Sequence, residues 1–165
     1  RILTDVEDAL ASLPILVAFV PQLMDTGGNA GGQASVSVIR ALSLGDIQMK
    51  DFMRVLWKEF RVALLCGLTL AVVNFVKMMI FNDVSRSVYG VSMSLIISAV
   101  VCVTIALAVV IAKVIGSMLP ILAKRIGFDP AVMASPLITT IVDVVSLLVY
   151  FLISTTVLSH AGLAL

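Results

Sequence analysis

Residues 91–122 read VSMSLIISAVVCVTIALAVVIAKVIGSMLPIL, a run of 32 residues whose only charged side chain is Lys113. A membrane-spanning helix needs about 20 predominantly apolar residues, so this run is long enough to cross a bilayer. Backbone groups in lipid must be satisfied internally, which leaves helices and closed barrels. The period-2 alternation of barrel strands is absent, so the run reads as a helix. Three comparable segments surround it. Leu10–Leu42 contains Pro14 and Pro21 and is too long for one simple span. Val62–Phe81 is the second segment and Ala131–Leu158 the fourth. The polar run Asn82-Asp83-Val84-Ser85-Arg86 separates the second from the third, and Gly127-Phe128-Asp129-Pro130 separates the third from the fourth. The expected fold class is all-α, a polytopic transmembrane helix bundle with long helices at about 10–42, 62–81, 91–122 and 131–158, in one domain covering 1–165.

Composition agrees with this reading. Of 165 residues, 61% are hydrophobic and 13% charged, against roughly 45–50% and about 25% in an average soluble domain. Mean hydropathy is +1.17. Such a chain is neither disordered nor able to coat a water-soluble globule. A net charge of +1 gives no electrostatic case for nucleic acid binding. Cys66 and Cys102 lie in apolar runs without metal-ligand or CxxC spacing and read as packing residues. The chain starts at Arg1 with no basic n-region and cleavage site, hence no signal peptide, and the abrupt start suggests a fragment of something longer.

Between the first two spans, Lys50, Asp51, Arg54, Lys58 and Arg61 recur at helical spacing, with Met49, Phe52, Met53, Leu56 and Phe60 on the opposite face. The segment 46–61 is therefore expected to be an amphipathic interfacial helix in contact with lipid, with Trp57 near the interface. The basic residues set the orientation. Arg40, Lys50, Arg54, Lys58, Arg61, Lys124 and Arg125 fall on one side, and Arg1 and Arg86 on the other. Seven against two places loops 43–61 and 123–130 in the cytoplasm and both chain ends outside. Lys77 and Lys113 sit near span ends, where they can snorkel.

Two of the ten acidic residues, Asp25 and Asp143, fall inside apolar spans. A carboxylate at the bilayer centre costs ~2.5–3.5 kcal/mol even on the lenient insertion scale, so such residues face a bundle interior or an aqueous path. Asp143 belongs to a polar stripe of Ser135, Thr139, Thr140, Ser146 and Tyr150. Interhelical hydrogen bonding accounts for the hydroxyls but poorly for the carboxylate, which has no basic residue in its own span. The first span carries Asp25, Asn29, Gln33, Ser37 and Arg40 at spacings of 4, 4, 4 and 3, beside Gly27, Gly28, Gly31 and Gly32. The glycines suit close helix packing; the Asn and Gln carbonyls suit a hydrated cation. GGNAGG is not a phosphate loop, since it lacks the Lys-Ser/Thr ending. Asn74, Ser98 and Thr104 read as helix–helix contacts. The single histidine, His160, lies at a span end, and no HExxH motif or Ser/His/Asp set can be built, so the chain is not expected to be an enzyme.

The available ligands are oxygens, which favour hard cations over zinc or copper. Mg²⁺ keeps most of its water and is held by one or two carboxylates. A twofold dimer would bring two copies of Asp143 to one axis. Na⁺ or H⁺ coupling would also use an intramembrane aspartate.

The run Pro21-Gln22-Leu23-Met24-Asp25-Thr26-Gly27-Gly28-Asn29-Ala30-Gly31-Gly32-Gln33, together with Gly127-Phe128-Asp129-Pro130-Ala131, Pro136 and Thr139-Thr140-Ile141-Val142-Asp143, resembles the two hallmark motifs of the MgtE magnesium channels. The resemblance extends over essentially the whole chain and implies a five-helix transmembrane domain lacking its first helix. It also implies a homodimer in the plasma (inner) membrane with a pore on the twofold axis. Asp143 would hold a hydrated Mg²⁺ there, Asn29 would line the pore, and the region of Asp129 to Ser135 would form a cytoplasmic gate. Full-length members carry cytosolic N and cystathionine-β-synthase (CBS) type regulatory domains, absent from this sequence. The leading expectation is thus a Mg²⁺ channel, with Asp143 as metal ligand and Asp25, Asn29, Gln33, Thr139, Thr140 and Ser146 lining the path. Mn²⁺, Co²⁺ and Ca²⁺ are further candidate ions. The alternatives are a Na⁺-coupled Mg²⁺ exchanger and a non-transporting membrane subunit.

Overall fold

The computed structural model describes residues 14–81, 83–130 and 136–160. Four long helices follow one another: α1 (Pro14–Leu44), α2 (Phe52–Phe81), α3 (Asp83–Arg125) and α4 (Pro136–His160), with a short 3₁₀ turn (Met49–Asp51) ahead of α2. Among the described residues there is no strand. Three segments, Met49–Ile80, Ser94–Arg125 and Pro136–Val157, are long and apolar enough to cross a membrane. With its 31 residues, α1 spans ~46 Å at 1.5 Å per residue, but its glycines and polar stripe keep its hydropathy below theirs.

Two boundaries differ from the sequence expectation. Residues 46–61 do not form a separate amphipathic helix: from Phe52 the segment runs without a break into the second span. No glycine or proline stands between Phe52 and Arg61 to end a helix, and the charge on this stretch does not interrupt backbone hydrogen bonding. The break expected at Asn82–Arg86 is displaced. Asp83 onward is helical, and the interruption falls at Gly90, whose φ of 79° and ψ of 168° are not helical. The interruption falls just ahead of Val91, and the segment long and apolar enough to span runs from Ser94 to Arg125. Pro21 lies within α1 without ending it.

α3 is the hub of the bundle, packed by each of the other three helices, and α1 also packs on α4. Leu23 of α1, Met78 of α2, Ile97, Val101 and Ile105 of α3 and Tyr150 of α4 form the main core. A smaller cluster of Val38, Leu42, Val55 and Ile121 closes the basic end. There α1 and α3 stop in the same way. Gly45 and Gly127 have φ of 79° and 84°, and the amides of Asp46 and Phe128 reach back to the carbonyls of Ala41 and Ala123 at 3.0 and 2.9 Å. This is the glycine-dependent Schellman stop. Lys124 Nζ donates to the Leu42 carbonyl at 3.3 Å, so a cation also satisfies the C-terminal end of α1.

α2 touches α3 along a narrow buried row of Val55, Glu59, Ala63, Gly67, Asn74 and Met78. Past Arg61 the rest of its surface is mostly exposed Leu, Val and Phe, as a lipid-facing helix requires. Asn74 makes interhelical contacts: it accepts from Gln22 Nε2 at 2.9 Å and lies 4.0 Å from Cys102 Sγ. Ser98 and Thr104 are fully buried in the bundle but form no interhelical hydrogen bond among the described residues. Their hydroxyls donate to the carbonyls of Ser94 and Val100 in their own helix. Cys102 is buried and Cys66 half-buried, and both are free thiols. Lys77 is exposed and donates to Gln22 Oε1 at 3.2 Å.

Lys113 does not snorkel. It is 7% exposed and lies 3.8 Å from the carboxylate of Glu59, itself 6% exposed. Removing one member of a buried pair strands the other charge, which typically costs 3–5 kcal/mol, whereas removing both is often neutral. Lys113→Met alone is therefore expected to lower the thermal unfolding midpoint of detergent-purified protein clearly. The double variant Glu59→Gln/Lys113→Met should recover most of the loss. Equal midpoints for the single and double variants would show that the pair does not matter.

Candidate functional site

The GGNAGG segment places backbone against backbone. A Cβ on Gly31 would sit 3.0 Å from the Ala112 carbonyl oxygen and 3.1 Å from Val142 Cγ2, and one on Gly116 would collide with the Gly31 carbonyl. A Cβ on Gly27 would sit 2.8 Å from Ser146 Oγ, and one on Gly28 3.5 Å from Asp143 Oδ1. Three of the four glycines thus serve the close packing of α1 on α3 and α4, whereas Gly32 meets nothing within 4 Å. Gly28 lies under the Asp143 side chain, so the carboxylate rests over α1 at this crossing.

This crossing sets the polar stripes side by side. Asp25, Asn29, Gln33, Ser37 and Arg40 are all on the exposed face of α1. Beside them on α4, Thr140 is exposed while Thr139 and Asp143 are half-buried in the seam. Asn29 Nδ2 donates to Asp25 Oδ1 at 3.0 Å, which leaves the Asn29 carbonyl oxygen uncommitted. The hydroxyls of Thr139 and Thr140 donate to the Pro136 carbonyl at 3.0 and 2.8 Å, and a donating hydroxyl keeps lone pairs that can accept, as on the exposed Thr140. Asp143 Oδ1 is buried and has no hydrogen-bond partner among the described residues. A buried, unpartnered carboxylate oxygen is costly and marks a place where a ligand is missing from the account.

Ser146 departs from the expectation. It is 1% exposed and packed under Gly27, so α4 has rotated it into the helix interface rather than onto the open face. Tyr150, the next member of that stripe, is likewise core. The polar stripe of α4 therefore serves packing at one end and the open face at the other. Asp129 is exposed just beyond Gly127, at the basic end of the bundle. Ser135 and the side chain of His160 lie outside the described residues. Among the described residues no three His, Cys, Asp or Glu side chains gather as a metal cluster, so one chain offers a sparse oxygen site. Sequence reasoning missed the Glu59–Lys113 pair, because Glu59 sat among surface charges and nothing local showed that it turned inward.

The comparisons follow this geometry. The MgtE family model, described as a divalent cation transporter, matches residues 20–153. That interval holds both polar stripes and the glycine crossing. The chain is 40% identical over 149 residues to a magnesium transporter MgtE of Thermus thermophilus, covering 90% of this chain and 31% of that protein. It is 32% identical over 149 residues to the magnesium transporter MgtE of Bacillus subtilis, with the same coverage. Against the Enterococcus faecalis magnesium transporter MgtE it is 31% identical over 151 residues, or 91% of this chain and 31% of that protein. The chain thus spans about a third of the length of these relatives. By the extent of the family match and the bundle it falls on, this integral membrane chain belongs to the MgtE family of divalent cation transporters.

Proposed function

We propose that the open polar face of α1 and α4 is one wall of a Mg²⁺-conducting pore, completed by a second copy of the chain across a twofold axis. The observation that carries this reading is the buried Asp143 oxygen, unpartnered among the described residues, beside an exposed stripe of Asp25, Asn29 and Gln33. Lipid cannot solvate such a stripe. A symmetric partner would cover it and bring a second Asp143 opposite the first. The lack of a three-ligand cluster among the described residues of one chain suits an ion that keeps its water shell, as Mg²⁺ does. The relatives are named magnesium transporters, which supports the choice of ion.

In this mechanism Asp143 attracts the hydrated ion, and its carboxylate oxygens accept hydrogen bonds from the ion's water. The Asn29 carbonyl and the Thr140 oxygen do the same without adding charge. A site built of water-mediated contacts holds the ion loosely enough to release it. The membrane potential contributes ~4.6 kcal/mol for a divalent ion crossing 100 mV, at ~2.3 per charge, so no second ion is needed. We place Asp129 and Ser135 at the mouth of this path.

The test is Mg²⁺ uptake into liposomes holding the purified chain, driven by an inside-negative K⁺ diffusion potential with no Na⁺ present. Uptake that grows with voltage supports the channel. Uptake appearing only with a Na⁺ gradient would establish a coupled exchanger instead, and no uptake under either condition a non-transporting subunit. In the same assay Asn29→Leu is expected to cut uptake about tenfold or more while cross-linking still yields the dimer. Its Leu side chain removes a polar oxygen from the path. Loss of the dimer with normal uptake per dimer would make Asn29 a packing residue.

A further inference from the structure

α1 and α2 each pack on α3 but hardly on one another. Between the second half of α1 and the first half of α2 this leaves a groove of about 780 Å³. Its inner wall is apolar, from Val38 and Ala41 on α1 to Val62 and Leu65 on α2. Its outer part is charged. Arg54, Lys58 and Arg61 line it at spacings of 4 and 3, so they form one row on α2. All three are exposed. Lys113 is the only cation of an ion pair among the described residues, so none of these three is neutralised there.

The acids of the groove are differently placed. Glu59 faces Lys113 at its base. The Asp51 carboxylate accepts from the Gln48 amide at 2.8 Å and so is held at the turn before α2. Asp46 is exposed on the loop. With Glu59 balanced by Lys113, three cations stand against two carboxylates, and the groove keeps an excess of one positive charge. Trp57, 62% exposed and stacked on Phe60 with ring centroids 5.8 Å apart, also lines the groove. Exposed tryptophan marks the headgroup level of a bilayer.

The geometry points to a site for one anionic phospholipid. Its phosphate meets the Arg54, Lys58 and Arg61 row, and an acyl chain lies along Val38, Ala41, Val62 and Leu65. Charge complementarity selects this occupant. A groove with one excess cation matches a lipid carrying one net negative charge, and basic pockets between transmembrane helices bind such headgroups. The apolar inner wall gives the chain of that lipid a place that a soluble phosphate could not use. The site depends on the chain being membrane-embedded and is independent of which ion it conducts.

Trp57 is the only tryptophan in the chain, so its fluorescence reports on the groove. The protein is reconstituted with bromine-labelled phosphatidylcholine, which quenches Trp57 on contact, and unlabelled lipid is titrated in. Phosphatidylglycerol is expected to relieve quenching at least fivefold more effectively than phosphatidylethanolamine. Arg54→Ala/Lys58→Ala/Arg61→Ala should bring that ratio to about one. Ala41→Phe, which narrows the groove and leaves every charge in place, should do the same. Arg125→Gln, a basic residue outside the groove, should keep the preference. Equal displacement by both lipids, or a preference that survives both groove variants, would overturn the site. Relief of quenching by soluble glycerol 1-phosphate as effective as that by the lipid would assign the row to a free anion. A Trp57 that no lipid quenches would mean that a second copy covers the groove.

Discussion

Asp143→Ala is expected to reduce Mg²⁺ uptake at fixed voltage by about 10- to 100-fold while leaving the thermal unfolding midpoint unchanged or raised. A hydrogen bond to a charged group contributes roughly 1.5–3 kcal/mol, and each 1.4 kcal/mol is a factor of ten, which sets the range. The stability half of the prediction comes from the same carboxylate. Its Oδ1 is buried without a partner among the described residues, so the folded chain bears a desolvation cost that alanine removes. Asp143→Asn keeps the shape and loses the charge, so its flux should fall nearly as far. Opposite signs in flux and stability are the mark of a residue kept for function. A residue that only packed helices would lose stability and retain flux per folded dimer. Unchanged uptake in both variants would remove Asp143 from the path.

How much of this could be read from the chain depends on the range of the forces involved. The spans were legible because lipid imposes its requirement on each segment separately: residues 91–122 must be helical whatever surrounds them. The glycine stops at 45 and 127 are also local, and they close α1 and α3 within a few residues of the expected ends. The α1 stripe was legible for a related reason. Spacings of 4, 4, 4 and 3 fix Asp25, Asn29, Gln33, Ser37 and Arg40 to one face, and all five are exposed together. Which face a stripe presents to its neighbours is set by tertiary packing, and here the reading failed in part. Ser146 belongs by spacing to the row of Asp143 yet is buried under Gly27, because the close approach at Gly27, Gly28 and Gly31 draws that turn of α4 into the interface. Glu59 shares its helix with Lys58 and Arg61, but only the partner on α3, 54 positions along the chain, turns it into a buried ion-pair member.

The largest structural effect is expected at Gly116. Its Cβ would collide with the Gly31 carbonyl, and both sides of that contact are backbone, so no rotamer change relieves it. Overpacking typically costs 1–3 kcal/mol where side chains can move; where two helices must separate, the loss belongs to the rare class above about 4 kcal/mol. Gly116→Val should therefore yield little monodisperse protein, and Gly116→Ala a sharply lowered midpoint. The other glycines rank below it by what their neighbours can do. Gly31→Ala meets the Ala112 carbonyl at 3.0 Å, a backbone atom that must be pushed aside. Gly27→Ala meets Ser146 Oγ at 2.8 Å, a hydroxyl that can rotate. Gly28→Ala finds ordinary contacts of 3.4 Å and beyond. Gly32→Ala meets nothing within 4 Å and gains the roughly 0.5–1 kcal/mol by which alanine exceeds glycine in a helix, so its midpoint should hold or rise. The order of unfolding midpoints is then Gly32→Ala, Gly28→Ala, Gly27→Ala, Gly31→Ala and Gly116→Ala, from highest to lowest. Gly116→Ala as stable as Gly32→Ala would mean that α1 and α3 do not cross at these residues, and the seam that aligns Asp143 with Asn29 would lose its foundation.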